Sequence, residues 1–286
     1  MKRSLTLVCC AVLGQLAWGQ AGLDLVSAGD ALYNRWGVPF ELATYRAQLT
    51  QALALWERAL DVIPAEEAQV RAQVLVRLSR GYFELAEAYL AVPKEKEEAY
   101  RKGKDYALAV LRLDPEFARI EKEQGHRAAL TQASHAAALF WYGNNLGRWL
   151  GYNWFQALGG GTRDVLACFT RAAELDEAYW GGGPRRALGN FLAQTPGFLG
   201  GDLDAAAWEF ARAIELDPNF IQNYVDYAEV YAKPRGDRAL YCQLLGRAAE
   251  LAAQEAVFTA WPLYNALTLA RVDKLMASPP GGGACK

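Results

Sequence analysis

Histidine is almost missing from this sequence: His126 and His135 are the only two. That scarcity removes most imidazole acid–base and metal chemistry. The pair lies nine residues apart, which does not suit the i, i+4 geometry of helix-borne metal ligands. No H-E-x-x-H, G-x-S-x-G or paired Cys/His spacing accompanies them. An excess of positive charge is missing too. The 286 residues carry 30 Lys and Arg against 32 Asp and Glu, so there is no basic footprint for nucleic acid. Neither phosphate-cradling glycine pattern, G-x-x-x-x-G-K-[ST] or G-x-G-x-x-G, is present. Cysteine is sparse beyond the N-terminus, where Cys168, Cys242 and Cys285 make an odd, widely spaced set. Such a set is not a disulfide framework. Cys168 and Cys242 fall in apolar helical patterns and read as small core residues. Cys285, in a Gly/Pro-rich tail, reads as a free thiol. Aromatic side chains are plentiful instead, with 9 Trp and 14 Tyr. Many rings with little acid–base machinery suggest a protein that holds things rather than cuts them, so no enzyme, cofactor or metal site is expected.

The N-terminus has the order of an export signal. Met1-Lys2-Arg3 is a positive n-region, Leu5 to Trp18 is apolar, and Ala17-Trp18-Gly19 supplies small residues for cleavage before Gln20. Cleavage after Ala21 is the close alternative. The apolar run is short of the roughly 20 residues a spanning helix needs, and Gly14 and Gln15 interrupt it. Cys9 and Cys10 sit too early for a lipid-modified cysteine. Residues 1–19 are therefore read as a signal peptide, and the mature protein as exported and soluble.

Beyond the signal, one spacing recurs. Ala52, Trp56, Ala59 and Pro64 stand at +4, +3 and +5, and Ala206, Phe210, Ala213 and Pro218 repeat it. Val165, Phe169, Ala172 and Glu177 form a third copy, and Gly103, Ala107, Val110 and Pro115 a fourth. This is the second-helix signature of a tetratricopeptide (TPR) repeat: small residues let paired helices approach, the aromatic fills the gap, and proline stops the helix. First helices precede two of the copies, at Leu75, Leu78 and Tyr82 and at Leu188, Gly189 and Leu192, while Tyr224, Tyr227, Ala228 and Tyr231 start a fifth unit whose second helix, near Tyr241, Leu245 and Ala248, is degenerate. The expected fold is an all-α, TPR-like helical-repeat array over 20–277, capped by a helix from Trp261 to Met276 and followed by a flexible tail, 278–286. The copies lie farther apart than the regular period of about 34 residues. Charged or glycine-rich inserts at 94–98, 116–125, 159–161 and 195–202 take up the excess, and inserts of this kind map to loops on one face, although the charged run 94–98 by itself reads as a solvated helix start. Val38-Pro39 and Ala65-Glu66-Glu67 read as helix boundaries. Glu177, in place of proline, is expected to leave its turn looser.

The middle of the chain is more specific than a generic TPR. Phe140-Trp141-Tyr142-Gly143-Asn144-Asn145-Leu146 is followed by Tyr179-Trp180-Gly181-Gly182-Gly183-Pro184-Arg185, then by Pro196-Gly197-Phe198-Leu199-Gly200-Gly201-Asp202 and Asn223-Tyr224-Val225-Asp226-Tyr227-Ala228. This order resembles the T component (TatT) family associated with TRAP transporters, the tripartite ATP-independent periplasmic carriers of organic acids and related solutes. The resemblance spans roughly residues 40–275 and is strongest over 138–232. It implies a periplasmic TPR-like protein that works with an extracytoplasmic solute-binding protein, forms homo-oligomers, and offers a largely apolar passage to a hydrophobic or amphipathic ligand. Family members are often lipoproteins, a feature this N-terminus does not share.

Two groups of residues are candidates for binding. Trp141, Tyr142, Trp149, Tyr152, Trp154 and Phe155 crowd one segment with Asn144, Asn145 and Asn153 among them, and Tyr179, Trp180, Tyr224 and Tyr227 follow. A few amides among rings suit an apolar pocket that fixes a polar head group; helix–helix packing is the competing reading. Gly181, Gly182 and Gly183, with Arg185 and Arg186 behind them, suit either an anion site of backbone N–H groups or a tight turn that needs glycine. The functional expectation is a non-enzymatic component of a TRAP-type uptake system, docking a solute-binding protein and sheltering its ligand. A general TPR scaffold for envelope assembly is the alternative.

Overall fold

A computed structural model describes residues 20–35 and 40–285. The expected signal peptide and the Val38-Pro39 boundary lie outside the described residues. What is described is helical, without strands. Helix α1 (20–33) leads into α2 (Leu42–Val62), α3 (Ala68–Tyr89), α4 (Pro93–Arg112), α5 (Pro115–Gln124), α6 (His126–Gln132) and α7 (Ala136–Leu150). A short α8 (Trp154–Gln156) and a π-turn (Ala157–Gly161) connect to α9 (Thr162–Asp176), α10 (Tyr179–Gln194) and α11 (Leu203–Leu216). Helix α12 (Ile221–Asp226) continues as a π-turn through Ala232, and α13 (Arg238–Ala252), α14 (Glu255–Ala260) and α15 (Pro262–Ala277) complete the chain.

The recurring spacing produces the expected pairs. Ala52, Trp56 and Ala59 are fully buried on α2, and Ala206, Phe210 and Ala213 are fully buried on α11. Helices α3 and α4 fold back on each other, as do α7 and α9, α10 and α11, and α12 and α13. Gly189 on α10 shows why small residues are required: a Cβ there would lie 2.9 Å from the Phe210 ring of α11. The Gly-Gly-Asp sequence starts α11 because the Asp202 carboxylate accepts from the Asp204 and Ala205 N–H groups, both at 3.0 Å. The fold is thus an all-α, TPR-like array of helix pairs.

Several local expectations are corrected. The charged run 94–98 is a helix start, in the opening turns of α4, whereas the insert at 116–125 is not a loop: residues 116–124 belong to α5. Proline stands at the start of both helices, where its missing N–H is harmless, and Phe117 and Ile120 bury the apolar face of α5. The turn at Glu177 is not loose, because its carboxylate pairs with Arg185 of α10 at 2.8 Å and with Arg212 of α11. Cys285 is not a free thiol. It forms a disulfide with Cys242 of α13, closing 43 residues of chain. The segment expected to be a flexible tail is tied further by Arg238, which donates to the carbonyls of Pro280, Gly282 and Ala284. The Cys285 N–H donates to the Met276 carbonyl. No helix among the described residues is long and apolar enough to cross a membrane.

Candidate functional site

The rings of four distant segments meet inside the array. Trp141 projects from α7, Tyr179 and Trp180 open α10, Trp261 and Tyr264 open α15, and Tyr33 comes from α1. Trp180 is the hub, edge-on to Trp141 at 5.5 Å, Trp261 at 5.0 Å and Tyr264 at 5.8 Å. Its backbone is unusual: φ is +54°, the one positive value outside glycine among the described residues. A left-handed aromatic residue costs about 1–2 kcal/mol and persists only where its surroundings hold it. Gly181 and Gly182 continue the left-handed path at +64° and +73°, so three residues swing Trp180 inward before α10 proper begins.

Charge lies in the middle of this ring system. The Arg80 guanidinium sits over the Tyr33 ring at 4.2 Å and the Trp180 ring at 4.9 Å. Four residues along α3, the Glu84 side chain is 1% exposed, with Oε1 3.8 Å from Arg80 Nε. The same oxygen accepts from the hydroxyls of Tyr33 at 2.8 Å and Tyr264 at 2.7 Å. Burial pushes the Glu84 carboxyl above the usual carboxylate range, against the pull of Arg80 and the two hydroxyls. Three buried polar atoms have no hydrogen-bond partner here: Arg80 Nε, Glu84 Oε2 and Trp180 Nε1. Such atoms are costly unless something supplies the missing bond.

A second polar knot anchors the glycine turn. Arg186 pairs with Asp226 at 3.6 Å and donates to Asn223 Oδ1 at 2.8 Å, while Asn223 donates to the Gly181 carbonyl at 3.0 Å. Burial draws the Arg186 guanidinium below its usual range, and Asp226 opposes that. The turn therefore presents a carbonyl to these side chains, and the Gly182 N–H donates to Ala178 O. Gly183 packs against the Phe140 ring. Arg185 faces away, pairing with Glu177 and Glu209 and lying over Trp208.

Of the residues singled out from sequence, the structure gathers only Trp141, Tyr179 and Trp180 around one point. Trp141 Nε1 donates to the Tyr179 hydroxyl at 2.9 Å. Tyr142 lies instead beside His126, whose Nε2 is 3.0 Å from its hydroxyl. Asn144 donates to the Phe140 carbonyl within α7, and Trp149 lies under Lys104. Asn145 is fully buried and donates to Ser79 of α3 and to the Trp141 carbonyl, a packing bolt between helices. Tyr224 and Tyr227 belong to a separate C-terminal core, where Tyr227 stacks on Phe210 at 5.1 Å. Sequence reasoning missed Tyr33, Arg80, Glu84, Trp261 and Tyr264. The only local signal was a charged i, i+4 pair, Arg80 and Glu84, on a helix otherwise rich in core residues.

Two open grooves lie elsewhere. One, of about 450 Å³, runs between α6, α9 and the 198–200 turn. The other, of about 440 Å³, lies between the start of α3, the end of α4, α5 and residues 133–135. None of the binding candidates singled out from sequence lines either one, although the 195–202 insert walls the first and His135 the second. At the second, His135 Nδ1 accepts from Ala138 N–H and caps α7, and burial holds its imidazole below the usual range.

The family model described as TRAP transporter T-component matches residues 72–278. No protein of curated function matches. Solved structures that match include YrrB, described as a TPR protein with an unusual peptide-binding site, at 18% identity and a TM-score of 0.39, over 76% of this chain and 84% of that one.

Proposed function

Because the chain belongs to the TRAP transporter T-component family, we propose that this accessory component works in the periplasm beside a solute-binding protein, without chemistry of its own, and shelters a hydrophobic or amphipathic ligand among the rings around Arg80. One observation carries the ligand half of this reading. A guanidinium is held between Tyr33 and Trp180 in an aromatic interior that leaves three buried polar atoms unpartnered. Rings supply apolar burial and a few polar groups fix orientation, the usual division of labour in a small-molecule site. The rings ride on α1, α7, α10 and α15, so a ligand enters by parting helices that already hold Trp180 under strain.

The test uses 1-anilinonaphthalene-8-sulfonate, an apolar fluorophore with one anionic group, titrated into the mature protein. Arg80→Gln and Trp180→Ala should each weaken its binding by roughly tenfold, the equivalent of one charge-assisted hydrogen bond or one buried ring. Native-like circular dichroism of both variants would keep the comparison fair. Unchanged affinity in both would sink the assignment. The scaffold reading draws on the two open grooves, and it predicts capture of a partner segment by variants whose interior is disrupted.

A further inference from the structure

Two apolar turns protrude on either side of one arginine. On the first, Trp154, Phe155 and Leu158 are 57%, 70% and 60% exposed, and the two rings stack on each other. On the second, Phe198 is 80% exposed. Arg127 joins them: its Nη2 donates to the Gly160 carbonyl at 2.9 Å, and its side chain walls the groove that Phe198 overhangs. Arg163 lies in the same groove, exposed, with no hydrogen-bond or ion-pair partner among the described residues. The acids facing this surface are already engaged: Asp164 with Arg127 at 2.7 Å, Glu174 with Arg171 at 2.9 Å, and Glu97 with the Asn153 amide at 2.9 Å.

We infer that this face is a docking surface for a phospholipid bilayer, with the rings entering the headgroup layer and Arg163 meeting lipid phosphate. A side chain that keeps most of its surface while folded stands proud of its neighbours. A protein partner would need matched pockets for four such knobs, whereas a fluid interface closes round them without shape complementarity. Trp and Phe suit that depth, and a guanidinium free of internal partners suits the anionic phosphate. The inference is independent of the ligand reading above, since it shares no residue with the Arg80 site.

Co-sedimentation of the mature protein with vesicles tests it, using phosphatidylcholine alone and phosphatidylcholine containing phosphatidylglycerol. The wild type should sediment with the mixed vesicles, and added salt should reduce the bound fraction. Trp154→Ser with Phe155→Ser and Leu158→Ser should lower binding by roughly tenfold or more, and Arg163→Glu by a few-fold. All four positions are exposed, so unfolding midpoints should not move. Absence of wild-type sedimentation with either vesicle overturns the inference, and so does full binding by the triple variant. If the triple variant instead abolishes a wild-type dimer seen by sedimentation velocity while neither binds vesicles, the face is a contact between copies of this chain.

Discussion

Gly182 carries two demands at once, a left-handed backbone and a close backbone neighbour. Its φ is +73°, and a Cβ built there would lie 2.9 Å from the Ala213 carbonyl oxygen of α11. The obstacle is backbone, which cannot swing aside as a side-chain tip would. Gly182→Ala should therefore cost about 2 kcal/mol or more, from the left-handed backbone plus the clash, seen as a lower urea midpoint at unchanged slope. Gly246 gives the contrast, because a Cβ there meets nothing within 4 Å. Neither demand can be read from the glycines themselves. Gly181-Gly182-Gly183 read in sequence as a tight turn in preference to an anion site, but the Phe220 ring and the Ala213 backbone that pack against it come from elements the sequence does not join to it.

Helix boundaries and pairing were legible because they rest on local chemistry. The +4, +3, +5 spacing places Ala, aromatic and Ala on one buried stripe, and Asp202 caps its helix with its own carboxylate. Contacts between elements far apart in the chain were not legible. Nothing near Cys242 announces Cys285, and the two meet only because α13 packs on α15 and the chain returns along them. The same distance hid the site, since Arg80, Trp180 and Trp261 come from three separate helical regions. Closing 43 residues of chain restricts the unfolded ensemble by about 4 kcal/mol in the loop-entropy account. Cys242→Ser should thus lower unfolding free energy by about 2–4 kcal/mol, and reductant should lower the wild-type midpoint but leave the variant unmoved.

Across the whole molecule, the last helix closes the array onto the first pairs. Tyr264 of α15 donates to Glu84 of α3 across 180 residues of sequence. An open solenoid keeps contacts between neighbours, whereas this one is bolted end to start through a buried carboxyl. Because burial raises the Glu84 pKa, its contribution is full below the ordinary carboxylate range and is lost as pH rises through the folded-state value. The Tyr264 hydroxyl limits that rise. Tyr264→Phe should then cost about 1–3 kcal/mol near neutrality and less at pH 4, measured by denaturant titration at both pH values. The same bolt closes the aromatic interior around Arg80. The most direct measurement is gentle purification of the tagged, mature chain from native periplasm, with mass spectrometry of what accompanies it. A solute-binding protein, together with an amphipathic small molecule that is lost from Arg80→Gln, is the predicted result. An envelope-assembly factor with no small molecule, or a small molecule held equally by Arg80→Gln, would contradict the account.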